Sequence, residues 1–151
     1  MSGAAAARIR PGRPQDAEGI LALEAGFSTD RMSARSVRYF LAAASARVLV
    51  AELDGRVAGA LIMLLRRNSR WARIYSVAVD PRWRNMGLGR QLVAAAEKQA
   101  KRDGRQGMSL EVRIDNVGAR ALYLRLGYQE QAQLPAYYED GGPGVRLRKQ
   151  F

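Results

Sequence analysis

The spacing of apolar positions changes several times along the chain, and each change marks an element. Ala17, Ile20, Leu21 and Leu23 recur at helical intervals, which predicts a helix over Pro14–Glu24, broken by Gly26. Arg8–Arg10 ahead of it reads as a short strand, and Met1–Ala7 as a flexible tail. After a loop over Phe27–Met32, Ser33 is a good N-cap for a second helix to about Ala44, with Val37, Phe40 and Leu41 as its buried stripe. The period then shortens. Arg47–Leu53 and Val57–Leu65 flank Asp54-Gly55, a strong hairpin signal, and Asn68-Ser69 leads into a third strand, Ala72–Val79, closed by Asp80-Pro81. These three strands form an antiparallel meander. Helical spacing returns at Leu88, Leu92, Val93, Ala96 and Ala100, in a helix that begins near Gly89 and runs to about Asp103, with Gly104 placed to cap it. Met108–Val112 is a strand. Asp115-Asn116 can cap a fourth helix, Val117–Leu126, ended by Gly127. Tyr128–Leu134 and Val145–Lys149 are the last strands, joined by a loop holding Gly141, Gly142, Pro143 and Gly144. The order β-α-α-β-β-β-α-β-α-β-β predicts a mixed α/β domain around one sheet, spanning residues 1–151. The strand–helix–strand unit from Ala72 to Val112 is expected to be a right-handed parallel crossover.

Composition narrows the chemistry. The chain is 48% hydrophobic and 26% charged, enough for a core and too apolar for dominant disorder. It has neither cysteine nor histidine. That excludes disulfides, thiol nucleophiles, imidazole bases and metal sites built on either ligand, and no metal is expected. Proton chemistry falls to Glu, Asp, Tyr or Lys. The net charge is +11, from 25 basic residues of which 22 are arginine. Arginine pairs in a bidentate way with phosphate and carboxylate, so an anionic partner fits, although GC-rich coding DNA enriches the same residue. The longest apolar run, Val57–Leu65, is too short to span a bilayer, and no signal-like segment opens the chain. The expected location is the cytoplasm, without membrane contact.

The chemistry concentrates in Arg84-Asn85-Met86-Gly87-Leu88-Gly89-Arg90, between a strand and a helix. Amides at a helix start point outward without intrahelical partners, and glycines let a ligand approach them. Such a loop can hold a pyrophosphate, and it can equally be a structural turn. It lacks the Gly-Lys-Ser/Thr of a P-loop and the glycine spacing of a dinucleotide fingerprint. Arg-x-x-Gly-x-Gly after a strand resembles the acetyl-CoA signature of the GCN5-related N-acetyltransferases (GNAT). Tyr75 to Pro81 resembles the strand that precedes the loop in that family. Leu110-Glu111-Val112-Arg113, Asp115-Asn116, Ala121-Leu122-Tyr123 and Leu126-Gly127-Tyr128 resemble its second half, and most of all its ribosomal-protein alanine N-acetyltransferase branch. The resemblance covers roughly Ala46 to the end.

The resemblance implies the acyl-CoA N-acyltransferase fold, acetyl-CoA as co-substrate and an amine acceptor, foremost a protein N-terminus. It implies that the backbone of Val77, Ala78 and Val79 lines the acetyl and pantetheine groups. Asn85, Met86, Gly87, Leu88, Gly89 and Arg90 would cradle the pyrophosphate, with Arg84 as first residue of the signature and Asn116 on the CoA arm. Glu111 would be the general base and Tyr123 the general acid. Tyr137 and Tyr138 would line the acceptor, with Glu139 and Asp140 beside them to hold its positive amine. Residue by residue, other roles are open. In its alternating strand Glu111 can face a cleft or pair with an arginine. Tyr123, mid-helix, can be a packed aromatic, and Tyr137-Tyr138 a solvated loop.

A small amine such as a polyamine, amino sugar or amino acid is an alternative acceptor, since fold does not choose among them. A basic nucleic-acid-binding module is an alternative of another class, suggested by charge alone, and no nucleic-acid motif supports it. A non-catalytic acetyl-CoA sensor is a third. Exposed edge strands near the C-terminus would offer a homodimer surface.

Overall fold

The computed structural model describes residues 7–26 and 31–151. The tail over residues 1–6 and most of the loop expected over 27–32 lie outside the described residues. The elements follow the expected order: β1 (Arg8–Pro11), α1 (Ala17–Glu24), α2 (Ala34–Ala42), β2 (Ala46–Leu53), β3 (Arg56–Leu64), β4 (Trp71–Val79), α3 (Leu88–Arg102), β5 (Gly107–Arg113), α4 (Val117–Arg125), β6 (Gln129–Leu134) and β7 (Gly144–Gln150).

Some boundaries shift for local reasons. The helix expected from Pro14 begins as a 3-10 turn, Pro14–Asp16. There the Asp16 carboxylate accepts from the Arg13 amide at 2.7 Å and from the Arg10 guanidinium at 2.8 and 2.9 Å. The second helix stops at Ala42 because Ala43 is extended. The third starts one residue earlier than expected, since Gly87 (φ 78°) takes the N-cap in a left-handed conformation. Gly104 and Gly127 end α3 and α4 in the same way. Each is left-handed, and the following amide, Arg105 or Tyr128, reaches back to the carbonyl of Ala100 or Tyr123.

The seven strands form one sheet in the order β1-β2-β3-β4-β5-β7-β6. All neighbours are antiparallel except β4 and β5. The last strand, β7, inserts between β5 and β6, which leaves β6 as an exposed edge. The meander is buried on both faces, as its long apolar runs require. Leu49, Leu61 and Met63 pack with Leu92, Val93 and Ala96 of α3, while Val48, Val50, Ala60 and Ile62 pack with Ile20 of α1 and Val37 of α2.

Two irregularities set β4 apart from the other strands. Ile62 pairs with Ser76 and Met63 with Ile74, so Tyr75 is an extra residue, a β-bulge. A bulge reverses the side-chain alternation: Ala72 and Ile74 face the α3 layer before it, and Val77 faces that layer after it. Second, β4 pairs with β5 only from Trp71↔Gly107 to Ile74↔Leu110. Beyond that point Val77 and Val79 stay with β3, and Glu111 to Arg113 stay with β7. The two parallel strands splay apart.

Candidate active site

The splay is a cleft through the sheet, with a volume of about 600 Å³. Its walls include Tyr75, Ser76 and Val77 of β4, Glu111 to Arg113 of β5, Asn116 and Tyr123, and the Tyr137-Tyr138 loop. The backbone on the β4 side is open. Asp80 donates its N–H to Ala58, and the Ala78 carbonyl also lies on the β3 side. Peptide groups alternate along a strand, so those of Val77 and Val79 point to the edge that β5 has left. Ala78 itself is buried against the α1–α2 layer.

The glycine loop lies at the end of the same strand. Arg84 is extended, Asn85 (φ 65°) and Gly87 (φ 78°) are left-handed, and the first intrahelical bond of α3 runs from Gln91 N–H to the Gly87 carbonyl at 3.0 Å. The amides from Met86 to Arg90 therefore have no acceptor among the described residues, and they sit at the positive end of the helix dipole. Packing does not demand glycine at position 89: an added Cβ would meet nothing closer than Leu122 Cδ2 at 4.0 Å. Met86 is exposed and Leu88 is buried against Leu53 and Ala58. The exposed guanidinium groups of Arg84 and Arg90 have no ion pair among the described residues.

The two residues with implied proton roles lie on opposite faces of the sheet. Tyr123 is in the α3 layer, buried, with its ring 5.4 Å from that of Tyr128 in an edge-on contact. Burial pushes its hydroxyl up to about 12. Leu110 and Val112 face the same layer, so Glu111 between them faces the other side. Its side chain is only 7% exposed, and one oxygen meets Arg73 at 2.6 Å, the other Arg146 at 3.4 Å. Tyr137 donates its hydroxyl to Glu111 at 3.4 Å and accepts from Arg73 at 3.3 Å. Both of the uses open to Glu111 are thus present: it faces the cleft and it pairs with arginines. Tyr138 stacks edge-on with Tyr137 at 5.0 Å and lies under the Arg113 guanidinium at 4.3 Å. Asp140, one of the two carboxylates expected to hold an amine, accepts from Arg113 and from the Gly142 amide, which ties it into the loop. Asn116 caps α4, accepting from Ala119 N–H at 3.1 Å, on the cleft wall.

Sequence reasoning missed Glu24. It ends α1, is 3% exposed and lines the cleft. One oxygen accepts from Met32 N–H at 3.1 Å, the other from the Ser76 hydroxyl at 3.5 Å. No ion pair to it occurs among the described residues, and burial pushes its carboxyl above the usual range. The signal was legible: Glu24 lies four residues after Ile20, on the buried face of α1. The pairing of Arg73 and Arg146 with Glu111 was not, because it depends on which strands become neighbours.

Among the described residues no group of three or more acidic, histidine or cysteine side chains is placed to hold a metal, and no helix is long and apolar enough to cross a membrane. Residues 18–128 match the model of the acetyltransferase (GNAT) family. Over 101 residues, 66% of its length, the chain is 37% identical to an uncharacterised N-acetyltransferase of Methanocaldococcus jannaschii, and the match spans 64% of that protein. It is 31% identical to a Bacillus subtilis protein provisionally named a ribosomal protein bS18-alanine N-acetyltransferase, over 90% of this chain and 89% of that one. The crystal structure of Ard1 from Thermoplasma volcanium superposes with a TM-score of 0.88 at 28% identity, covering 97% of this chain and 98% of the other. A mixed sheet splayed at its one parallel pair and a family model matching most of the chain lead to one assignment: the chain belongs to the acetyltransferase (GNAT) family and is an N-acetyltransferase of that type.

Proposed function

We propose that the protein transfers the acetyl group of acetyl-CoA directly to the α-amine at the N-terminus of a protein. The observation that carries this reading is the splay of β4 from β5, which opens one passage from the α3–α4 face of the sheet to the α1–α2 face. On the α3–α4 side the free peptide edge of Val77 and Val79 suits the pantetheine arm, and the unpaired amides from Met86 to Arg90 suit the pyrophosphate. Arg84 and Arg90 supply positive charge nearby, and Asn116 lies where the arm would pass. On the other side the cleft is lined by Tyr137 and Tyr138, whose rings suit an extended N-terminus. The name of the Bacillus subtilis relative, an alanine N-acetyltransferase of a ribosomal protein, supports a protein terminus over a small amine.

In this reading the neutral amine attacks the acetyl carbonyl, the C–N bond forms, the C–S bond breaks, and CoA leaves as a thiolate. Tyr123, whose hydroxyl is protonated at neutral pH and belongs to the cleft wall, donates to the thiolate. Glu111 accepts the proton of the amine, with Arg73, Arg146 and Tyr137 fixing its position. A second assignment of the base has its own support, because Glu24 is desolvated in the same cleft and is paired with no cation among the described residues. Substitution separates the two. Loss of the base lowers kcat by roughly 10²–10⁴-fold, and the deficit shrinks at high pH, where the amine loses its proton unaided. Glu111→Gln is expected to behave so. If Glu24→Gln does instead, the base is Glu24. The acceptor is tested by CoA release against a panel of N-terminal peptides and small amines; turnover confined to small amines refutes the protein-terminus reading.

A further inference from the structure

A second cavity, about 390 Å³, opens off the cleft and shares Arg73, Glu111 and Tyr137 with it. It extends along β4, β5 and β7 to Ser109, Arg148 and Arg66. The register explains the cluster. Glu111 is opposite Arg146, and two residues along, Ser109 is opposite Arg148 on one side and Arg73 on the other. Alternation puts all five side chains on the face away from α3.

The charges in this cavity do not balance. Arg66, Arg73, Arg146 and Arg148 line it, and among the described residues Glu111 is its one carboxylate. Arg73 and Arg146 share Glu111. Arg148 lies over the ring of Trp71 at 4.7 Å, which holds its guanidinium in place, and its buried Nε has no hydrogen-bond acceptor. That nitrogen is closed to a ligand, but Arg148 lines the cavity and its guanidinium has no ion pair among the described residues, so a ligand anion would be its partner. A guanidinium plane with its fork open selects a carboxylate.

The spacing says where that carboxylate would be. Two residues along a strand are about 7 Å, so Arg148 stands about that far from the level of Glu111. An extended peptide whose amine sits at Glu111 advances about 3.5 Å per residue and brings its second or third side chain to Arg148. We propose that this arginine cavity selects acceptors by a carboxylate, an Asp or Glu at the second or third position of the N-terminal peptide. The inference rests on the protein-terminus reading and adds a preference among termini to it. The net charge of +11 acts in the same direction, drawing acidic segments toward the site.

The test compares Ala-initiated peptides that carry Glu, Gln or Lys at position two or three. The wild-type enzyme should show kcat/KM at least about ten-fold higher for Glu than for Gln, mostly through KM, with Lys lowest. In Arg148→Gln the Glu-to-Gln ratio should fall close to one, and in Arg148→Lys, which keeps charge but loses the fork, it should be intermediate. Calorimetric binding of the Nα-acetylated Glu and Gln peptides gives the same comparison without turnover. Equal kcat/KM for Glu and Gln peptides, or a preference that survives Arg148→Gln, overturns the inference while leaving peptide acetylation intact. If free glutamate is acetylated and no peptide is, both this inference and the protein-terminus reading fall.

Discussion

Tyr123 and Glu24 are both buried in the cleft wall, and burial acts on each by disfavouring its anion. Tyr123 is protonated at neutral pH with or without burial, and burial makes its hydroxyl the weaker acid, so its part as a donor rests on its place in the cleft wall. Tyr123→Phe removes one hydroxyl and keeps the ring against Tyr128, so the fold should be retained. If the hydroxyl acts in the transition state, kcat should fall while acetyl-CoA affinity, measured by titration, stays close to wild type. Equal kcat in the two proteins would leave Tyr123 as core packing and turn attention to Tyr137. For Glu24 burial has a consequence for stability. Its carboxyl in the folded chain binds a proton more tightly than in the unfolded chain. Between the ordinary carboxylate range and the raised folded value, the native state holds a proton that the unfolded state has released. Stability therefore declines as pH rises through that window. Glu24→Gln cannot ionise and should escape the decline, so its Tm relative to wild type should be more favourable at pH 8 than at pH 4. A difference that is the same at both pH values would show that Glu24 is not desolvated in the folded chain.

At the scale of elements, the junction of β4 and α3 gives a clean separation of structure from binding. Gly87 needs its left-handed backbone, so a side chain there strains the turn as well as filling it. Gly89 has helical neighbours and open space before it, so Gly89→Glu should fold normally. Its carboxylate would then occupy the place proposed for the pyrophosphate. In wild type, acetyl-CoA at a hundred times its Kd should add about 2.7 kcal/mol of stability, visible as a rise in Tm. In Gly89→Glu that rise should vanish; a full rise in the variant would move the nucleotide elsewhere. This junction was legible in the sequence because its signals are local: a strand, a Pro-led turn, two glycines and an apolar helical stripe. The same holds for the Asp54-Gly55 hairpin and for the glycines that end α3 and α4. The bulge at Tyr75 was not legible. Trp71–Val79 carries only two polar residues, Arg73 and Ser76, too few to establish a period, and only the pairing with β3 reveals the extra residue.

Across the whole molecule, the sequence carried the order of elements but not the neighbours of the last two strands. Insertion of β7 between β5 and β6 is a long-range pairing, and it is what brings Arg146 to Glu111 and Arg148 to Ser109. Glu111 could be singled out as a cleft carboxylate from its strand, whereas its partners awaited the sheet. The open edge of β4 has one more consequence, which concerns time. An amide held in a ladder of a well-buried sheet exchanges its proton with solvent only when the sheet opens, whereas one facing a water-filled cleft needs no opening. In the middle of this sheet the amides of Ala78 and Asp80, turned toward β3, should retain their protons for hours in deuterated water. Those of Val77 and Val79, one residue away on the same strand, should lose theirs within minutes. Of these four amides, acetyl-CoA should slow the fast pair, so a single strand would report occupancy of the cleft as a collapse of two rates into one. If all four amides exchange alike in the free protein, the edge is closed in solution.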